Sequence, residues 1–131
     1  MSSLSPSARP TDAELEVLQV LWRLGPTTAR QVWEALNSGR DKQVVYTTVL
    51  KTMQNMAGKG LLLRDESARS HVYRPALERD KVSRSLLGEM VARLFEGSVR
   101  DLVVHALGTK KVSAAELKEI RRIIQKMEDK P

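Results

Sequence analysis

Two capping boxes and two glycine stops divide the first half of the chain into helices. Thr11-Asp12-Ala13-Glu14 and Thr28-Ala29-Arg30-Gln31 each place a hydroxyl where it accepts from the third backbone N–H of a helix, and a side chain three residues on reaches back to the cap. After the first box Leu15, Leu18, Leu21 and Trp22 fall on one face, and Gly25-Pro26 ends the run. After the second, Val32, Trp33 and Leu36 form a short stripe that closes near Asn37-Ser38-Gly39. The spacing predicts a third helix from Val44 to Lys59, with Val45, Val49, Met53 and Met56 inward and Gly60 as its stop. The period then changes. Leu61-Leu62-Leu63, a polar turn over Arg64–Ser70 and the run His71–Pro75 read as two short strands around a charged tip.

Helix, helix, helix, hairpin is the order of a winged helix-turn-helix, so the expected fold is mainly α with a small β-hairpin. A Ser/Pro-rich tail over residues 1–10 is expected to be flexible, followed by the winged helix over 11–76. Residues 77–131 carry three further amphipathic segments. Val82, Leu86, Met90 and Leu94 form one stripe, widened by Leu87, Val91 and Phe95. Val99, Leu102, Val103, Ala106 and Leu107 form a second, stopped by Gly108. In the third, Ser113 caps, Glu116 completes the box, and Leu117, Ile120, Ile124 and Met127 continue. Three such segments cannot readily bury their broad stripes on one another, and an exposed patch of that size is unusual in a monomer. The expectation is a symmetric homodimer built through Leu86, Met90, Leu94, Leu102, Val103, Leu117, Ile120 and Ile124. It would present two reading helices one turn of DNA apart, about 34 Å.

Charge and composition narrow the chemistry. The 131 residues carry 22 Lys+Arg against 16 Asp+Glu, a net +6 that suits a polyanionic partner. The excess is local. Pro10–Gly39 has two cations and four acids, whereas Arg40–Arg74 has seven cations and three acids. With Val49 inward, a step of roughly 100° per residue sends Thr47, Lys51 and Gln54 outward, with Thr48, Leu50 and Asn55 at the flanks. This face is almost free of acid. Lys42 and the first turns would lie deepest in a major groove, where hydroxyls, amide and ammonium meet phosphates and base edges. Arg69 and His71 in the wing 64–74 are candidate phosphate or minor-groove contacts. The partner expected is therefore double-stranded operator DNA.

Other classes have little to stand on. With no cysteine and two well-separated histidines there is no thiolate nucleophile and no metal or other cofactor is expected. The carboxylates are dispersed, no glycine-rich phosphate loop is present, and an enzyme is not expected. No apolar run approaches the ~20 residues that cross a bilayer, and Met1–Arg9 lacks the apolar core of a secretory signal, so a cytoplasmic protein without membrane insertion is expected. The alternative class is a winged-helix protein-interaction scaffold without sequence-specific DNA binding.

Particular runs carry a family resemblance. Ala13-Glu14-Leu15-Glu16-Val17-Leu18 with Leu21-Trp22, Thr28-Ala29-Arg30-Gln31-Val32, Val45-Tyr46-Thr47-Thr48-Val49-Leu50, Lys59-Gly60-Leu61-Leu62 and Val72-Tyr73-Arg74-Pro75 resemble the penicillinase-repressor (BlaI/MecI-type) family. The resemblance implies a homodimeric repressor on a dyad-symmetric operator, base-reading residues at Thr47, Thr48, Leu50 and Lys51, and a helical dimerisation region. Leu50 departs from members with a basic residue there. The resemblance also implies a membrane-bound sensor-protease pathway that triggers cleavage at an Asn–Phe bond. The matching bond here is His105–Ala106.

Overall fold

The computed structural model describes residues 9–130. Their elements run α1 (Asp12–Leu24), β1 (Thr27–Thr28), α2 (Ala29–Asn37), α3 (Tyr46–Gly58), β2 (Leu62–Asp65), β3 (Val72–Pro75), α4 (Arg79–Leu94), α5 (Val99–Gly108) and α6 (Ala114–Glu128). Helix, helix, helix, hairpin is thus the observed order, and the fold is a winged helix-turn-helix followed by three helices. Both early capping boxes form: Glu14 N–H donates to Thr11 Oγ1 at 3.2 Å while Thr11 N–H donates to Glu14 Oε1 at 2.9 Å. Thr28 and Gln31 make the same exchange at α2. At α6 Ser113 Oγ accepts from Glu116 N–H at 3.1 Å, but among the described residues the expected return bond from the Glu116 side chain is missing.

Two boundaries and one strand differ from the sequence expectation. α3 begins at Tyr46 rather than Val44, and Val45 becomes its N-cap, 65% exposed instead of buried on the inner stripe. The cause is the Val44 backbone, which is held outside the helix by side chains of α2. The α3 terminus falls at Gly58, one residue early, in a Schellman motif: Leu61 N–H reaches Met56 O and Gly60 N–H reaches Ala57 O, with Gly60 at φ 84°. The hairpin is also not alone, since β1 pairs antiparallel with β3 to give the order β1-β3-β2. A two-residue strand wedged between Gly25-Pro26 and a helix cap is too short to show alternation.

The core is one cluster. Val17, Leu18 and Leu21 from α1, Val32 from α2, and Val49, Met53 and Met56 from α3 close over Leu61 and over Leu62 and Tyr73 of the sheet. Each fully buried Leu, Val or Met contributes roughly 1.5–3 kcal/mol. Trp22 and Trp33 pack against this cluster, and each finds an acceptor for its indole N–H, Leu77 O at 3.1 Å and Val44 O at 2.8 Å. Of the tail expected over 1–10, residues 1–8 lie outside the described residues; Pro10 is buried, so the flexible-tail expectation does not extend to it.

The chain divides into two compact units, one through Leu87 and one from Gly88. The break falls inside α4, whereas the sequence reading divides the chain after residue 76. The units also differ in burial. Val82 is the last buried residue described; from 83 to 130 none is.

One ion pair joins the start of α1 to the end of α3. Lys59 Nζ lies 2.7 Å from Glu14 Oε2, and Glu14 is buried. Burial alone would raise the Glu14 pKa, but the Lys59 hydrogen bond, the Thr11 backbone N–H, the Lys59 charge and the Thr11 side chain together bring it below its ordinary value. A depressed carboxylate contributes stability above its unfolded pKa, about 4.3, and loses it as pH falls through the folded value. Lys59→Met is therefore expected to cost about 1–3 kcal/mol in urea unfolding at pH 7, leaving a buried carboxylate unpaired. The gap to the native chain should close as the pH drops below about 4. A gap that stays constant into acid would show that Glu14 is not the group responsible.

Candidate nucleic-acid interface

The α2–α3 turn is built by one amide. Asn37, the last residue of α2, accepts from Val44 N–H with Oδ1 at 2.8 Å and donates to Val44 O from Nδ2 at 2.9 Å. Trp33 Nε1 donates to the same carbonyl. Gln43 Nε2 donates to Asn37 O and Arg40 O, and Arg40 pairs with Glu16 of α1 at 3.1 Å. With both Val44 backbone groups captured, the helix starts two residues later. Its cap, Val45, supplies no side-chain acceptor, and no acid occupies its first turn.

This start sets which way each α3 side chain points. Val49, Met53 and Met56 are buried, whereas Thr47, Thr48, Lys51, Gln54 and Asn55 are exposed. Leu50 sits between the two classes, half-buried and packed against the core. On one flank Leu50 and Gln54 join Arg69 and His71 of the wing, and Arg30 of α2, around a cleft of about 380 Å³. On the other flank Thr48 and Thr52 face Glu16 and Arg40 across a hollow of about 90 Å³. Four of the sequence-selected residues thus share one cleft, with Thr47 and Lys51 exposed on the helix beside it. Lys42 is exposed in the loop ahead of α3 and is not part of the helix.

The wing handles its own acids. Glu66 Oε2 lies 2.7 Å from Arg64 Nη2, and the Tyr73 hydroxyl and Glu66 together raise the Arg64 pKa. Asp65 accepts from Ser67 N–H at 2.9 Å, a bond that holds its carboxyl below its ordinary value. Neither acid is paired with Arg69, which remains exposed at the tip.

Two residues on this surface escaped the sequence reading. Arg30 lies over two rings, 5.8 Å from the Trp33 centroid and 5.3 Å from that of Tyr46. The i,i+3 spacing to Trp33 was a signal; the contact with Tyr46 needs the folded turn. Periodicity alone places Val45 inward, and nothing local marks it as a cap.

A second surface lies in the C-terminal helices. Leu94 is 68% exposed, Met90, Val103 and Ile124 are exposed, and Leu86, Leu102, Leu117 and Ile120 are half-buried. His105 stands in α5 with its ring 5.2 Å from that of Phe95 and Nδ1 2.8 Å from Asp101 O. Among the described residues no three histidine, aspartate or glutamate side chains gather as a metal site would require, and no helix is long and apolar enough to cross a membrane.

Comparison with known proteins places these features in a family. The model of the penicillinase repressor family matches residues 10–126. The transcriptional regulator BlaI of Mycobacterium tuberculosis (strain H37Rv) is 36% identical over 119 residues, covering 89% of this chain and 83% of that protein. The penicillinase repressor of Bacillus licheniformis is 24% identical over 117 residues, 88% of each. A solution structure of the DNA binding domain of the repressor BlaI matches 58% of this chain and 90% of its own, at 24% identity and a TM-score of 0.49. With the family model spanning nearly the whole chain and a relative above 30% identity over most of its length, this chain belongs to the penicillinase repressor family.

Proposed function

We propose that this chain, a transcriptional repressor by family, acts in the cytoplasm as a homodimer that grips a dyad-symmetric duplex operator and blocks transcription by occlusion. The observation that carries the reading is the α3 surface. Thr47, Lys51 and Gln54 stand exposed on a helix whose opposite face is buried, no acid lies among them, and Arg69 and His71 of the wing border the same cleft as Gln54. A polar helix face of about four turns bordered by cations has the width and chemistry of a B-DNA major groove. Thr47 and Thr48 offer hydroxyls to phosphate and methyls to thymine. Lys51 reaches guanine or phosphate, and Gln54 reaches adenine. Lys42 and Arg69 hold flanking phosphates, with His71 beside them. Leu50 supplies apolar contact at the groove edge.

Dimerisation is supported by the absence of burial beyond Val82 among the described residues. Apolar stripes on α4, α5 and α6 need a partner, and a second copy offers the same stripes in a closed twofold arrangement. Residues 77–131 are accordingly the dimerisation region. A membrane sensor-protease pathway would act on the His105–Ala106 bond. That bond lies inside α5, so the helix must open before cleavage.

Three measurements test this reading. A gel shift on the upstream DNA of its own operon should resist unrelated competitor DNA. If each dimer neutralises about 6–10 phosphates, affinity should fall roughly 10³–10⁵-fold between 50 and 200 mM salt, and a flat response would overturn the reading. Lys51→Ala should weaken binding about tenfold or more with the dimer unchanged by sedimentation; loss of folding would make Lys51 structural. Leu94→Glu with Ile124→Glu should yield a monomer that loses most of its operator affinity. A dimer that survives both would remove the C-terminal helices from the interface.

A further inference from the structure

Arg30 is a cation that the winged helix holds in place and, among the described residues, leaves without a counter-charge. It is the second residue of α2, exposed, and its guanidinium lies over both the Trp33 and Tyr46 rings. Those rings meet edge to face, 5.8 Å between centroids and 81° between planes, and Trp33 is fixed in turn by its bond to Val44 O. An arginine side chain, ordinarily among the most mobile, is here confined by its two ring contacts. Among the described residues none of the hydrogen bonds or ion pairs uses its N–H donors. Among the described residues no carboxylate pairs with it, although Arg40, Lys59, Arg64, Arg100 and Arg122 all have one.

The surroundings of Arg30 also favour an anion. It lines the cleft that holds Arg69, His71 and Gln54, and Thr28 and Ala29 bring the start of α2 to the same wall. No acid occupies the first turn of α2 to offset the positive end of its dipole. A planar fork with free edge donors matches phosphate oxygens in a way a lysine ammonium does not.

We infer that Arg30 is a phosphate clamp for the operator backbone, set between the start of α2 and the wing, which fixes the depth and angle at which α3 enters the groove. This rests on the duplex-binding reading above. Because the contact is to backbone, it carries affinity without sequence preference.

The test is fluorescence anisotropy of the full chain on two labelled duplexes, the upstream DNA of its operon and a scrambled sequence, across a salt series. Arg30→Ala should weaken both by a similar factor, about tenfold, and make the slope of log affinity against log salt shallower by about two per dimer. Arg30→Lys should restore the slope but not the full affinity, and it decides the matter if the alanine variant fails to fold. An unchanged slope in both variants, or a loss confined to the operon duplex, would overturn the clamp. A wild-type chain with no salt response would instead overturn duplex binding itself. A normal wild-type response and a weakened Lys51→Ala, with Arg30 variants matching wild type, would remove the clamp alone.

Discussion

The start of α3 depends on a single amide side chain. Asn37 exchanges two hydrogen bonds with the Val44 backbone, and Trp33 adds a third to the same carbonyl. At about 1 kcal/mol net for each bond, the three together are large beside a total stability of roughly 5–15 kcal/mol. Their structural consequence is greater than their energy. Because Val44 is captured, the helix starts at Tyr46 and its side chains take the directions that follow. Each residue of slip would rotate the surface by roughly 100° and carry Thr47 and Lys51 off the exposed face. The far end is held too, by the Schellman turn at Gly60 and by Lys59 against Glu14. Held at both ends and packed through Val49, Met53 and Met56, α3 is fixed in register and rotation against the core, as a precise binding surface requires.

Local signals made much of this legible. The capping boxes at Thr11 and Thr28, the stops at Gly25 and Gly60 and the change of period at Leu61 each rest on interactions between near neighbours, and each is visible in sequence for that reason. What stayed hidden depends on contacts between distant residues. Thr27 becomes a strand because Tyr73 lies opposite it, forty-six positions along. Val45 turns outward because Asn37 has taken Val44. Arg30 acquires meaning from Tyr46, brought to it only by the turn. Periodicity locates the buried face of α3 but does not carry where the helix begins, so it places Val45 on that face.

Trp33 connects two layers of the molecule. Its ring packs on the core, its indole N–H fixes the turn ahead of α3, and its face receives Arg30. Loss of that ring would therefore disturb stability, helix start and surface charge together, which no measurement of one of them could separate. Arg30 lies at the outer end of this stack, and Arg30→Lys keeps a positive charge there while changing the head that meets the rings.

The two units set different demands on concentration. The first has its own buried cluster. The second has apolar stripes with no buried residue among those described, so its order is tied to whatever covers them. If that cover is a second copy, folding of α4–α6 and dimerisation become one equilibrium, and the apparent stability of this half rises with protein concentration. DNA binding then inherits the dependence. In that case one winged helix on one half-site would bind weakly, and the second contact would gain its strength from the linkage, with an effective concentration that reaches millimolar for short tethers. Occupancy of the full site should accordingly rise with about the square of protomer concentration below the dimer dissociation constant. A modest local opening in α5 would lower occupancy far more than the energy of the broken contacts alone, because it removes the linkage as well as the contacts.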